Sequence, residues 1–274
     1  MLTQAEKGLA FSALHKRESA FIIPNPWDAG TARLLAHLGF EALATTSAGY
    51  AFSAGQPDNT ISRDEMIEHV STMAAATNLP VSADLENGFG DSPEAVAETI
   101  RLAAAAGAVG GSIEDMSRQP GHPIYAREHA VERIRAAAEA VRGLPFAFTL
   151  TARAENYLAG QTDLKDTIER LQAYQTAGAD VLYAPGLTSK DDIAAIVKSV
   201  DRPVNVVMGL AGLPLSLAAL SAMGVRRVSV GSALSRAALG AFLRAAREMQ
   251  EHGTFTFADD AVSYRDINGI FRHP

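Results

Sequence analysis

The sequence predicts an α/β chain built as a closed (β/α)₈ (TIM) barrel, and three observations carry that prediction. Short apolar runs and helical stretches alternate eight times, a rhythm that gives parallel strands joined by right-handed crossovers. Glycine recurs at helix ends, as at Gly39, Gly107 and Gly178, where a left-handed cap favours it. The 274 residues suit one barrel of about 250 residues, and no linker or shift in composition divides 1–274. A doubly wound open sheet is the alternative. It usually has fewer units, and the chain has no Gly-x-Gly-x-x-Gly turn.

The elements follow in order. After a short N-terminal helix, 21–23 is the first strand, closed by Pro24-Asn25-Pro26-Trp27-Asp28, and 29–38 is helical. The second strand, 42–44, leads into the turn Thr45-Thr46-Ser47-Ala48-Gly49-Tyr50 and a loop at 51–60 long enough to act as a lid. Ser62 and Glu65 make a capping box for a helix to about Thr77. Strand 81–84 precedes a helix at 93–106, opened by Ser92-Pro93-Glu94 as cap, first-turn proline and first-turn acid. Strand 109–113 leads to a long irregular loop, 116–126, and a helix at 128–141. Strands 146–150, 180–183 and 204–207 pair with helices 163–177, 190–200 and 214–222. Strand 227–230 is followed by a long helix over 232–252. The segment 232–274 forms a C-terminal helical extension. Its tail from Gly253 to Pro274 holds Phe255, Phe257, Tyr264, Ile270 and Phe271, and so much apolar surface is expected to pack on the barrel or on another subunit.

Composition excludes several classes. A net charge of −7 argues against nucleic acid and against an anionic membrane as partner. The chain has no cysteine, so disulfides, thiolate metal sites and thiol nucleophiles are ruled out, and a cytoplasmic location fits. Residues 1–20 are polar and lack the apolar core of a signal peptide. The stretch between Arg202 and Arg226 is uncharged, but Pro203, Gly209, Gly212, Pro214 and Gly224 break it into pieces too short to span a bilayer.

In a barrel the functional site lies at the carboxyl ends of the strands, and there the polar residues gather. Asp84 and Glu86 end one strand ahead of the flexible Gly88-Phe89-Gly90 turn, and Glu114-Asp115 end the next. Acids crowded on neighbouring buried strands repel one another. Either a divalent cation relieves them, with hard oxygen ligands favouring Mg²⁺ or Mn²⁺, or one pair caps a helix and the other is solvated. Arg153 follows an apolar strand. Its planar fork suits a substrate carboxylate or phosphonate, unless it serves as structural partner to Glu155 or Glu114. The amides of Ser47, Ala48 and Gly49 offer an anion cradle or form a plain turn. His122, in the loop after the fourth strand, is placed to carry a proton near neutral pH or to orient that loop. Trp27 and Asn205 complete the strand-end set.

The motifs Pro24-Asn25-Pro26-Trp27-Asp28-Ala29-Gly30, Thr45-Thr46-Ser47-Ala48-Gly49, Ser82-Ala83-Asp84-Leu85-Glu86-Asn87-Gly88-Phe89-Gly90, Ile113-Glu114-Asp115 and Ala152-Arg153 resemble the isocitrate lyase/phosphoenolpyruvate mutase superfamily over residues 20–250. The resemblance implies a barrel that assembles as a homotetramer of helix-swapped dimers. It implies a Mg²⁺ site in which Asp84 ligates directly, with Asp58, Glu86 and Glu114 acting directly or through water. It also implies substrates that are 2-oxo acids or their aldol or phosphonate adducts. Two departures stand out. Glu86 occupies a position that is commonly aspartate. Gln119-Pro120-Gly121-His122 stands where carbon–carbon lyases of the family carry a Lys-Lys/Arg-Cys-Gly-His segment, so the proton-transfer cysteine is replaced by Pro120, and the lysine-rich loop of the mutases and hydrolases is missing as well.

The expectation is therefore a Mg²⁺-dependent lyase cleaving a carbon–carbon bond in a small 2-oxo or 2-hydroxy acid through a metal-stabilised enolate. Asp84, Glu86 and Glu114 are the expected metal ligands. Arg153, His122 and Asp58 are the candidate catalytic residues, and Trp27, Ser47, Ala48, Gly49, Arg153 and Asn205 would bind substrate. A phosphonomutase or phosphonopyruvate hydrolase is one alternative. A non-catalytic barrel that binds oxo acids is the other.

Overall fold

The computed structural model describes residues 2–209 and 213–272. Met1 in the polar N-terminal stretch, Gly212 in the uncharged run, and Pro274 at the tail's end lie outside them.

In chain order the described elements are α1 (Gln4–Leu14), β1 (Phe21–Ile23), α2 (Ala29–His37), β2 (Leu43–Ala44), α3 (Ser47–Ser53), α4 (Arg63–Ala76), β3 (Val81–Asp84), α5 (Pro93–Ala105), β4 (Gly110–Glu114), β5 (Met116–Gln119), β6 (His122–Ile124), α6 (Arg127–Arg142), β7 (Thr149–Arg153), α7 (Leu164–Ala177), β8 (Val181–Tyr183), α8 (Lys190–Ser199), β9 (Val204–Val207), α9 (Leu217–Ala222), β10 (Arg227–Ser229), α10 (Ala233–His252) and α11 (Tyr264–Arg272). Eight strands form one sheet in the order β1-β10-β9-β8-β7-β4-β3-β2, and every pairing within it is parallel. At the seam, the Ala44 amide donates to the Pro24 carbonyl at 3.1 Å, which draws β2 against the end of β1. The result is the nearly closed (β/α)₈ barrel that the alternation predicts.

The local chemistry explains the element ends. Ser62 and Glu65 close the capping box on α4, Ser92 caps α5 ahead of Pro93, and Gly178 ends α7 with φ +115°. The barrel floor is plugged by α1. Phe11 and Leu14 cluster with Phe21, Ile23 and Val109, and a side chain at Gly110 would stand 2.7 Å from the Phe11 ring. No helix among the described residues is long and apolar enough to cross a membrane.

Three segments differ from the sequence expectation, and the tail takes the first of its two expected resting places, the barrel. The strand expected to stop at Leu150 runs to Arg153, because Thr151 and Ala152 are fully buried and pair on both sides with β4 and β8. The expected turn at 45–50 contains the start of α3, capped by the Thr46 hydroxyl. The loop expected to be irregular holds an antiparallel hairpin, β5–β6, turned by Arg118 and Gly121 at φ +58° and +79°. The tail forms α11 and rests on the chain's own α2, where Arg33 donates to the Phe271 carbonyl at 3.2 Å and lies over its ring. By contrast, α10 buries only Ser235 and leaves Leu234, Leu239, Phe242, Leu243 and Met249 exposed.

Candidate active site at the barrel mouth

Strand register sets the site. Glu114 and Arg153 are paired residues at the ends of β4 and β7, while Asp84 ends β3 opposite Ser112 of β4. The Arg153 guanidinium sits among three carboxylates. It reaches Asp84 at 3.0 Å, Glu114 at 3.0 Å and Glu155 at 2.8 Å. The backbone N–H and hydroxyl of Ser47 both donate to the other Asp84 oxygen, at 3.0 and 2.9 Å. The structural-partner reading of Arg153 is thus the arrangement seen, and its fork is occupied by protein acids. Burial drives the carboxyls of Glu114 and Glu155 above the usual range, and the Arg153 charge opposes that shift.

Asp115, next along the chain, is turned away from the mouth. It accepts from the Glu155 amide (2.8 Å), Arg170 (3.1 Å) and the Tyr174 hydroxyl (2.6 Å), so it anchors the loop after β7 to α7. Glu86 is 2% exposed and left-handed at φ +50°. One of its oxygens pairs with Arg118 of the hairpin. The other, Oε1, is buried without a partner.

These groups line a cavity of about 260 Å³ whose wall includes Ser47, Ala48, Asp58, Asp84, Glu86, Glu114, Glu155, Arg153, Asn205 and Arg227. The structure therefore brings together most of the expected site. Trp27, Gly49 and His122 are not in the wall. Gly49 is wedged where a side chain would meet Thr46 at 2.6 Å and the Trp27 Cβ at 3.2 Å. Its amide caps onto the Thr46 hydroxyl, so Trp27 and Gly49 shape α3 and the expected three-amide cradle does not form. His122 is exposed on β6, and its backbone carbonyl accepts from Ser117, a bond that any residue at this position would make. Asp58 is exposed at the rim.

Five carboxylates face two guanidinium groups in this wall. Among the described residues no three acidic or histidine side chains converge closely enough to chelate an ion as they stand, since Arg153 and Arg118 hold the acids apart in ion pairs. The donor set still fits a hard divalent cation. It is all oxygen, it carries surplus negative charge, and Glu86 Oε1 has no other use. Sequence reasoning missed Arg118 and Arg227. The signal for Arg227 is the pair Arg226-Arg227 opening an apolar strand, because period-2 alternation must turn one of them inward.

Residues 11–250 match the phosphoenolpyruvate phosphomutase family. The chain belongs to that family. It therefore lies within the isocitrate lyase/phosphoenolpyruvate mutase superfamily, which the strand-end motifs resemble. Oxaloacetate decarboxylase of Chromohalobacter salexigens is 31% identical over 248 residues, 88% of this chain and 84% of that one. A crystal structure from Burkholderia cenocepacia J2315, provisionally described as a lyase/mutase, is 69% identical with a TM-score of 0.97, covering 99% of this chain and 97% of its own. Phosphonopyruvate hydrolase in complex with oxalate and Mg²⁺ is 26% identical with a TM-score of 0.85, covering 97% and 96%. Members of this family thus include lyases and hydrolases of small oxo acids.

Proposed function

We propose that the protein is a Mg²⁺-dependent lyase that breaks a carbon–carbon bond in a small 2-oxo or 2-hydroxy carboxylic acid, with Mn²⁺ as an alternative ion. The observation that carries this reading is the surplus of carboxylates in one buried cavity at the strand ends, one of them with an unpartnered oxygen. Asp84, Glu86 and Glu114, with Asp58 at the rim, would hold the ion. When bound, it would supply Lewis-acid stabilisation of the negative charge that develops on the substrate oxygen beside the carboxylate.

The chain's own residues do the rest. Arg153 keeps Asp84 and Glu114 in register, Ser47 fixes the second Asp84 oxygen, and the 51–60 segment and the β5–β6 hairpin close the mouth against water. The wall contains no histidine, lysine or cysteine among the described residues. That lining suits loss of CO₂ from a 2-oxo acid, where the leaving group needs no proton. It also suits a chain with Pro120 in place of an acidic thiol, and the oxaloacetate decarboxylase relative supports the same choice. His122 would reach the reacting atoms only if the hairpin moved. The exposed apolar side of α10 supports a homotetramer of helix-swapped dimers, and the cysteine-free composition supports a cytoplasmic location.

The test is a turnover screen with Mg²⁺ on oxaloacetate, isocitrate, 2-methylisocitrate and phosphonopyruvate. Pyruvate or glyoxylate without phosphate is the expected outcome, and Asp84→Ala should abolish both turnover and Mg²⁺ binding. Phosphate release would favour phosphorus–carbon chemistry. Oxo-acid binding with no turnover under any metal would mark a binding barrel, and full activity in Asp84→Ala would refute the site.

A further inference from the structure

The cavity is acidic at its mouth and cationic at its floor. Arg227, the first residue of β10, is 5% exposed and lies beside Asn205 of β9 in the strand register. Both residues line the cavity, together with Ser229 two positions further along the same strand. The Arg227 side chain makes one hydrogen bond among the described residues, Nε donating to Asn205 Oδ1 at 2.9 Å. Asn205 in turn donates through Nδ2 to the Ser229 hydroxyl at 3.0 Å, which fixes the orientation of its amide. Nη1 of Arg227 is buried with no acceptor.

Among the described residues no carboxylate pairs with Arg227. Asp84, Glu114 and Glu155 are held by Arg153, Glu86 is paired with Arg118, and Asp58 is at the rim. The groups that face Arg227 electrostatically are the Tyr183 phenol and the His15 ring. A buried guanidinium without an acid is costly, and an anionic ligand would supply the missing partner. Burial lowers its pKa to about 10, which leaves it charged at neutral pH. With Nε engaged by Asn205, the Nη1–Nη2 edge remains, and that edge matches the two oxygens of a carboxylate.

We propose that Arg227, steadied by Asn205 and Ser229, is the specificity-determining residue that receives a second carboxylate of the substrate at the cavity floor. The ligand class is then a small dicarboxylic 2-oxo or 2-hydroxy acid, gripped at one end by the mouth and at the other by Arg227. The inference rests on reading the mouth as an oxo-acid site. A volume of about 260 Å³ accommodates such an acid and little more, being at the low end of ligand pockets at roughly 300 Å³.

The test compares binding of L-lactate and L-malate, which differ by one carboxylate, to the full-length protein by calorimetry with Mg²⁺ present. The wild type should prefer malate. Arg227→Met should weaken malate by about tenfold to a hundredfold, the range for losing a charge-assisted bond, and leave lactate unchanged. Arg227→Lys, which keeps the charge without the fork, should fall between. Thermal unfolding without ligand gives an independent readout, because the Met variant should melt at or above the wild-type temperature once the unanswered charge is gone. If lactate binds while the malate preference survives in both variants, the proposal is overturned and the site reading stands. If lactate fails to bind the wild type, both fall. Equal weakening of the two ligands by either variant would reduce Arg227 to a structural role and also overturn the proposal.

Discussion

Replacing Arg153 with methionine tests the electrostatic design of the mouth most directly. Methionine keeps most of the side-chain volume and removes the one cation that touches Asp84, Glu114 and Glu155. The guanidinium side chain is 14% exposed, and its partners are 18%, 7% and 1% exposed, so solvent compensates little. Stranding the partner of a buried ion pair costs about 3–5 kcal/mol. Three pairs share one cation and are not additive, so the expected loss at pH 8 is about 3–5 kcal/mol in total. Without the arginine, burial still pushes Glu114 and Glu155 up, and the opposing attraction is gone. Both then hold protons in the folded state at pH values where the unfolded chain has lost them. Stability of the variant should therefore rise as pH falls from 8 towards 5, by up to about 1.4 kcal/mol per pH unit for each proton. Urea unfolding of the wild type and the variant at pH 5, 6, 7 and 8 measures this. A deficit under about 1 kcal/mol at pH 8, or one that does not shrink on acidification, would show the carboxylates to be solvated and the reasoning wrong.

Two further predictions concern other parts of the chain. His15 is buried between the Phe11 and Phe21 rings, and burial and the Arg227 charge lower its pKa to about 3. The unfolded imidazole titrates at about 6.5, so His15 costs nothing above that pH. As pH falls from about 6.5 towards 3 the unfolded state binds the extra proton, and stability drops by up to about 1.4 kcal/mol per unit. His15→Phe should lose that component, seen as a flatter melting-temperature profile between pH 6 and pH 4, and an unchanged profile would count against it. On α10, Phe242 is 69% exposed. Phe242→Asp should leave the barrel folded by circular dichroism and shift the proposed helix-swapped assembly to smaller species in sedimentation, whereas an unaltered mass would count against a subunit contact through this helix.

The barrel is legible in the sequence because its cause is repetitive. Eight buried apolar runs and their capped helices each give the same signal, and a one-residue error in any of them leaves the topology intact. The site is legible where a side chain sits at a strand end, as at Asp84 and Glu114, since strand direction alone brings those together. Asn205, expected at a strand end, is instead the second residue of β9 and faces the cavity beside Arg227. It is less legible where tertiary pairing decides. Whether Thr151–Arg153 continue a strand depends on free edges of β4 and β8 that no local propensity reveals. The 116–126 segment becomes a hairpin only because Arg118 and Gly121 accept positive φ. Arg227 is hidden in a different way. A charged residue in a short strand reads as an edge or an end, and only closure of the barrel turns it into a buried cation.

Glu86 shows how the mouth departs from the local rules that govern the rest of the chain. A non-glycine residue at φ +50° costs on the order of 1 kcal/mol, and a buried carboxylate oxygen without a donor costs more. Both penalties fall on one residue, two positions past the end of β3, while nearby Ala83 and Leu85 are buried and ordinary. Arg118 relieves only half of the carboxylate, and it does so from a hairpin residue that is itself at φ +58°. A fold selected for stability alone would place a small polar residue or glycine here. Keeping a strained, half-satisfied acid at this point is a stability cost that makes physical sense if Glu86 has a cation to meet.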